Sequence, residues 1–260
     1  MQSERMYPFS REQKNPVVGC DFGCTYCAFR KLQQRFGVCP ECKSFTPHYH
    51  LERLEKAPMR TEGKQFISLC LNGDISFASA EVIQKIIRYC EQWHDRTFLI
   101  QSKDPARLLG FKFPYNVILG TTIETNYRHI GKDNTPYSEI SKAPHPEERY
   151  RAIRQIKDND VHVTIEPIMD FQKEELVCWM KHIPRLKVIN IGYDSRPDLN
   201  HLPEPPLEKT MKLIAELEQI AEIRRKLMRP AWYENNHRKE GKKIIRDILM
   251  RRREISQELS

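Results

Sequence analysis

No run of apolar residues in this sequence is long enough to cross a membrane, and its opening residues, Met1-Gln2-Ser3-Glu4-Arg5, hold no apolar signal core. A membrane-spanning helix is excluded, and a cytoplasmic location is expected. A secreted disulfide scaffold fits poorly too. The chain has eight cysteines, but at 260 residues it is too large to need staples, and five of them fall between residues 20 and 42. Such clustering favours metal. With 39% hydrophobic and 30% charged residues the composition is that of one large globular α/β domain or two small ones.

The densest cluster lacks a fourth thiol. Cys20-Asp21-Phe22-Gly23-Cys24-Thr25-Tyr26-Cys27 offers three sulfurs at a spacing that can close on one face of a metal cluster, with Gly23 free to turn the backbone between the first two. A 4Fe–4S cluster has about four irons, so three thiolates leave one iron open to a ligand from outside the protein. A zinc site or a set of buried thiols is the plainer alternative.

A second group follows. Cys39-Pro40-Glu41-Cys42 is succeeded by Pro47-His48-Tyr49-His50, a ligand set suited to tetrahedral zinc. Cys39, Cys42, His48 and His50 would then pin a loop, residues 37–50, beside the first cluster. The same CxxC would also serve a second iron–sulfur cluster or a redox disulfide.

Hydrophobic periodicity predicts an irregular arm over 1–14 and a weak first strand at Asn15 to Gly19. Further strands are predicted at Gln65 to Leu71, Thr97 to Gln101, Asn116 to Thr122, Val161 to Ile165 and Lys187 to Ile191. Helices are predicted at Tyr26 to Phe36, Ala80 to Trp93, Asp104 to Leu109, Glu147 to Lys157, Glu174 to His182 and Leu207 to Leu227. Alternation of strand and helix about six times gives a parallel sheet covered by helices, an α/β partial (β/α)6 TIM-like barrel. Residues 1–204 are its expected core, and 205–260 an expected helical, basic extension.

The ends of the predicted strands are polar, which is where parallel barrels gather reactive groups. They read Asn72-Gly73-Asp74, Gln101-Ser102-Lys103, Thr121-Thr122-Ile123-Glu124, Glu166-Pro167 and Gly192-Tyr193-Asp194. Each acid taken singly is equally a solvated or capping residue. Their shared location carries the argument.

The loop CxxxCxxC, with an aromatic before its third cysteine, resembles the cluster-binding loop of the radical SAM superfamily. The resemblance implies that the open iron is chelated by the amino and carboxylate groups of S-adenosylmethionine (SAM), with Tyr26 near the adenine. It implies reductive cleavage of SAM to a 5′-deoxyadenosyl radical that abstracts hydrogen, and a flavodoxin- or ferredoxin-like reductant. Asn72-Gly73-Asp74 stands where many members carry Gly-Gly-Glu, so Gly73 and Asp74 would meet the SAM ammonium. Lys103 would pair with its carboxylate, or be merely a solvated charge beside Asp104. Thr122 and Glu124 suit ribose hydroxyls or a polar substrate, and Glu166 and Asp194 are offered on position alone, Glu166 as a cofactor contact. Cys70, Tyr193 and Cys178 are conceivable hydrogen donors to a product radical, although a cysteine in an apolar stretch is usually a small buried hydrophobe. Several strand-end motifs and the segments around 45–54 and 224–233 are similar to a narrower phage- and prokaryote-associated group of the superfamily, itself distantly similar to spore photoproduct lyase. The resemblance names no substrate.

The net charge of +8 is concentrated near the end of the chain. From Arg224 to Arg253 there are twelve lysines and arginines against three acids, with Trp232, Tyr233 and His237 among them. Such a segment suits phosphate contacts and base stacking, so DNA or RNA is the expected partner and modification or repair of a base the expected task. An equal alternative is a solvated helix, Lys242 to Arg253, packing Ile244, Ile245, Ile248 and Leu249 on the barrel. Other readings are a radical enzyme acting on a small molecule or peptide, and a non-enzymatic iron and zinc redox sensor that binds nucleic acid.

Overall fold

Seven parallel strands form the framework, and the polar strand ends predicted from the sequence lie along one rim of it. The computed structural model describes residues 7–234; residues 1–6 and 235–260, including His237 and the expected helix Lys242 to Arg253, lie outside the described residues. In chain order the strands are β1 (Ser10–Lys14), β2 (Val17–Val18), β3 (His48–Tyr49), β4 (Phe66–Leu69), β5 (Phe98–Gln101), β6 (Val117–Thr122), β7 (His129–Ile130), β8 (Thr135–Pro136), β9 (Val161–Ile165), β10 (Leu186–Gly192) and β11 (Glu222–Lys226). The helices are α1 (Ala28–Phe36), α2 (Pro40–Ser44), α3 (Ala80–Gln92), α4 (Tyr137–Ile140), α5 (Pro146–Ile153), α6 (Lys173–Lys181), α7 (Pro197–Asn200) and α8 (Leu207–Leu217). Among the described residues, no helix is long and apolar enough to cross a membrane.

The main sheet has the order β1-β4-β5-β6-β9-β10-β11, and every neighbouring pair is parallel. This curled open sheet is the expected partial TIM-like barrel. Side chains alternate across it, as the pleat requires. Ile67, Leu69, Ile100, Leu119, Val163 and Ile191 join one large core with Ile83 and Ile86 of α3, Leu176 and Met180 of α6, and Leu213 and Leu217 of α8. Phe66, Leu99 and Ile118 belong to a separate, smaller cluster with Tyr7 and Phe9. Further along the same alternation, that inner face turns polar at Gln101, Thr122, Thr164 and Glu166.

Three assignments are corrected. The arm expected to be irregular contains β1, which pairs with β4 from Ser10↔Phe66 to Lys14↔Leu69 and is the true first strand of the barrel. Its alternation was weak because an edge strand carries polar residues on its open side. Val17-Val18, expected to open the barrel, instead pairs antiparallel with β3 outside the main sheet. The helix expected from Leu207 to Leu227 stops at Leu217, and Glu222–Lys226 adds a strand to the free edge of β10 in the register Val188↔Glu222 to Gly192↔Lys226. Pairing along an open sheet edge prevails over the local helical period. The sheet therefore runs past the boundary expected at residue 204.

Candidate active site and metal centre

The chain leaves β1, crosses β2 and enters the cysteine loop over the rim of the barrel. Gly19 bridges Gly73 in parallel, and both positions exclude a side chain. A Cβ on Gly19, at φ +89°, would lie 2.2 Å from Thr46 O, and one on Gly73 would lie 2.6 Å from Gly19 O. Gly73 thus serves backbone against backbone, beyond the ligand approach expected of it. The loop is held on both flanks. Cys20 N donates to Phe45 O at 3.1 Å, Thr25 N to Ile140 O at 3.0 Å, and Lys142 N to Phe22 O at 2.7 Å.

Cys20, Cys24 and Cys27 line one cavity of about 190 Å³, and none is in a disulfide. Cys27 caps α1, its Sγ accepting from Arg30 N at 3.3 Å, so the positive end of a helix faces a sulfur that would carry charge. Cys24 Sγ lies 3.1 Å from Ser141 Oγ. Burial, with Asp74 next in importance, pushes the Cys20 thiol up, and burial raises Cys27 against its backbone hydrogen bond. Unliganded, Cys20 and Cys27 stay protonated at neutral pH. Their donor chemistry fits an iron–sulfur cluster, whose charge would stabilise the thiolates.

Most of the predicted strand-end residues converge on the same cavity. Tyr26, Cys70, Gly73, Asp74, Lys103, Thr122 and Glu166 all line it. Asp74 is heavily engaged: Oδ1 accepts from Ser76 N at 3.0 Å, Ser76 Oγ at 2.8 Å and Ser102 Oγ at 2.6 Å, and Oδ2 from Lys103 N at 2.8 Å. Burial nonetheless raises its pKa. Asp74 fastens the end of β4 to the end of β5, leaving Oδ2 the less engaged oxygen.

Behind the cavity wall lies a network the sequence showed only in part. Lys103 Nζ donates to the Tyr26 hydroxyl and to Glu124 Oε1, which also accepts from Tyr26, and the ammonium sits 4.7 Å from the Tyr26 ring centroid. Glu124 Oε2 accepts from Arg149 Nη1 at 2.9 Å. Arg149 is wholly buried, donating also to Pro144 O at 2.6 Å, Thr122 O at 2.8 Å and the Tyr137 hydroxyl. Burial opposes ionisation of Glu124, yet Arg149 and Lys103 outweigh it and hold the carboxyl down at about 2. For Lys103, burial is likewise outweighed, here by Cys24 and Glu124, and its pKa is raised. Glu124, expected to face a ligand, instead stands one layer behind, fixing Tyr26 and Lys103 at the wall. Arg149 was missed because it falls on a helix whose other arginines face solvent.

The remaining expectations separate. Cys70 lines the cavity in the left-handed conformation, φ 61°, but burial pushes its thiol up to about 12. Tyr193 is not brought to the cavity. It is wholly buried in the outer core, its hydroxyl 2.7 Å from Thr210 Oγ1 and donating to Pro205 O at 3.0 Å. Cys178 is exposed on α6 beside His182. Gln101, Ser102 and Asp194, named among the polar strand ends, also line the cavity, and the unforeseen residues there include Tyr7, Thr164, Ser195 and Lys226. A period-two reading back from Glu166 finds Thr164; Lys226 required recognising β11.

The described part of the basic segment is bound inward. Arg229 forks onto both oxygens of Glu204 at 2.6 and 2.8 Å, Trp232 Nε1 donates to Leu202 O at 2.9 Å, and Tyr233 OH to Glu204 O at 3.1 Å. Trp232 and Tyr233, expected to stack on bases, strap residues 229–233 to the loop after β10.

Cys39, Cys42, His48 and His50 are brought together, their ligand atoms all within 4.8 Å of one another. Cys39 Sγ lies 3.4 Å from His48 Nε2 and 3.9 Å from His50 Nε2, Cys42 Sγ 3.3 Å from each imidazole Nε2, and the two Nε2 atoms are 3.0 Å apart. A tetrahedral zinc with bonds of about 2.3 Å to sulfur and about 2.0 Å to nitrogen has edges of about 3.5 Å and about 3.3 Å. The group fits a metal ion of this kind. His48 Nδ1 donates to Thr46 O at 2.8 Å and His50 Nδ1 faces Glu52 Oε1 at 3.2 Å, which turns both Nε2 lone pairs inward.

No family model matches the chain, and no curated protein matches it in sequence. The class it belongs to is one of fold, the partial parallel barrel with its site at the strand ends. Among solved structures it is similar to a mutant of spore photoproduct lyase with dinucleoside spore photoproduct, at TM-score 0.54 and 11% identity over 80% of this chain and 74% of that one. SuiB of Streptococcus suis bound to S-adenosylmethionine matches at TM-score 0.48 and 14% identity, over 84% of this chain and 51% of SuiB. SuiB bound to precursor peptide SuiA matches at TM-score 0.47 and 14% identity, over 83% and 49%. The fold implied by the cysteine-loop resemblance is the fold found.

Proposed function

We propose that this chain is a radical SAM enzyme that holds a 4Fe–4S cluster on Cys20, Cys24 and Cys27 and S-adenosylmethionine in the adjoining cavity. The observation that carries this is the convergence of three free thiols and four polar strand ends on one cavity. When bound and reduced, cluster and SAM supply cleavage of a sulfonium carbon–sulfur bond and, from it, abstraction of hydrogen from a substrate.

The chain's own groups have separable tasks. The three sulfurs ligate iron, and the α1 N-terminus offsets their charge. Tyr26, oriented by Glu124 and Lys103, presents an aromatic face to the cavity beside the loop. Lys103 provides a fixed cation suited to a carboxylate, and Asp74 Oδ2 with the Gly73 backbone suits an ammonium. Burial of these groups keeps water from the reacting centre. Cys70 remains a candidate hydrogen donor only as a neutral thiol. A reductant of the flavodoxin or ferredoxin kind would supply the electron.

The preferred substrate is a base of DNA or RNA, which the basic balance of the chain supports. The ion proposed for Cys39, Cys42, His48 and His50 is zinc, supported by the edge lengths above. A cytoplasmic location suits the oxygen-sensitive cluster. The direct test is formation of 5′-deoxyadenosine by reduced, anaerobically reconstituted protein. Wild type is expected to form it and Cys24→Ala to form none; a variant working at the wild-type rate would falsify the proposal. Substrate class is tested separately: DNA or tRNA should bind at low salt and weaken steeply as salt rises.

A further inference from the structure

Further along the rim from the Lys103 network, the ends of β9 and β11 bring Glu166 and Lys226 together, Nζ 2.5 Å from Oε1. The pair is nearly dry, with side chains 5% and 14% exposed. Glu166 Oε2 is buried and has no partner among the described residues, and Lys226 Nζ has Oε1 as its one partner there. A buried acceptor left without a donor is unfavourable unless a bound group supplies one. Both residues line the cavity, as do the flat or apolar side chains Tyr7, Phe29, Leu71 and Pro167. None of the hydrogen bonds of the Tyr26, Lys103, Glu124 and Arg149 network reaches this pair.

We infer that Glu166 and Lys226 form a subsite that reads the edge of a nucleobase, Glu166 Oε2 accepting from an N–H and Lys226 donating to the carbonyl oxygen or ring nitrogen beside it. The inference rests on the nucleic-acid proposal above and gives it substrate-side residues. It also moves Glu166 from the cofactor to the substrate. Charge supports a neutral ligand: the carboxylate and ammonium balance one another, and with Asp194 and Lys103 also lining the cavity an added charge of either sign would meet a like charge. Adjacent donor and acceptor on the ligand complete both protein groups at once. The neighbouring apolar walls suit a planar ring taken out of its stack, read by its hydrogen-bonding edge.

The test is a titration of anaerobically prepared full-length protein with uridine, cytidine, adenosine and guanosine, followed by saturation-transfer NMR. N3-methyluridine serves as an edge-blocked control, and SAM binding is measured on the same samples. At least one nucleoside should bind, and Glu166→Gln and Lys226→Met should each weaken it roughly tenfold or more. Glutamine should turn its amide oxygen to Lys226 and its amino group to the ligand, placing a donor where an acceptor is needed. If uridine binds, N3-methyluridine should not, a comparison that needs no variant to fold. Several results would overturn the inference: no nucleoside binding, equal binding by the variants, equal binding of uridine and its methylated form, or binding of a glutamine-containing peptide in place of nucleosides. Loss of SAM binding in Glu166→Gln with nucleoside binding unchanged would return Glu166 to the cofactor and also overturn it. Failure of wild type to bind SAM counts against the radical SAM proposal instead, and leaves Glu166-dependent nucleoside binding separately readable.

Discussion

Glu124 and Arg149 show how far one buried pair shapes this site. Both side chains are fully buried, so removing one partner leaves an uncompensated charge in the core. Arg149→Met is expected to cost about 3–5 kcal/mol in urea unfolding, and the double variant Glu124→Gln/Arg149→Met less than Arg149→Met alone. A double variant no more stable than the single would show that the pair is not the reason for the loss. The same carboxyl makes stability depend on pH. Its folded pKa, about 2, lies below the ordinary value of 4.5, so its contribution is present above that value and lost as pH falls toward 2. Wild type should therefore lose urea resistance faster than Glu124→Gln over that interval; parallel losses would contradict the assignment. Tyr193 is the opposite case. Tyr193→Phe removes hydrogen bonds in the outer core and is expected to cost about 1–2 kcal/mol while leaving SAM affinity unchanged. Affinity lost without stability would put Tyr193 back in the site. Sequence position alone could not separate Tyr193 from Lys103, since both sit at strand ends; alternation across the pleat sends one outward and the other in.

At the scale of elements, the Cys39 to His50 segment is a staple for the cysteine loop. β3, which carries His48, pairs with Val17-Val18, while Phe45 O holds Cys20 N and Thr46 backs directly onto Gly19. A metal bound at this site would therefore fix the flank of the loop that follows two residues later. Cys42→Ser is expected to lose zinc and, although Cys42 is no ligand of the first group, to retain severalfold less iron after reconstitution, with faster hydrogen exchange over residues 19–27. Iron and exchange both unchanged would show the two groups to be independent. The CxxC and HxH pattern was legible because ligand chemistry demands those residue types at short range. Its attachment to β2 was not, because strand pairing between distant two-residue segments leaves no periodic trace. β1 and β11 escaped for a related reason: edge strands keep polar residues, and their identity is set by the strand they join.

For the whole molecule, the alternation of apolar strands with amphipathic helices was enough to give a parallel partial barrel, and the barrel puts every strand end on one rim. That rule explains why Asp74, Lys103, Thr122 and Glu166, four polar residues that close different strands, share a cavity with the three cysteines of the loop. The unforeseen part, Arg149 and Tyr137 in the wall and Tyr7 and Lys226 in the cavity, comes from elements that only tertiary packing brings there. The most direct measurement is iron and sulfide content of the full-length chain reconstituted without oxygen, wild type against the triple variant Cys20→Ala/Cys24→Ala/Cys27→Ala, with SAM added to each. Wild type should hold about four irons per chain whose spectrum changes on adding SAM, and the triple variant should hold none. A wild-type chain devoid of iron, or a triple variant that keeps it, would contradict the account.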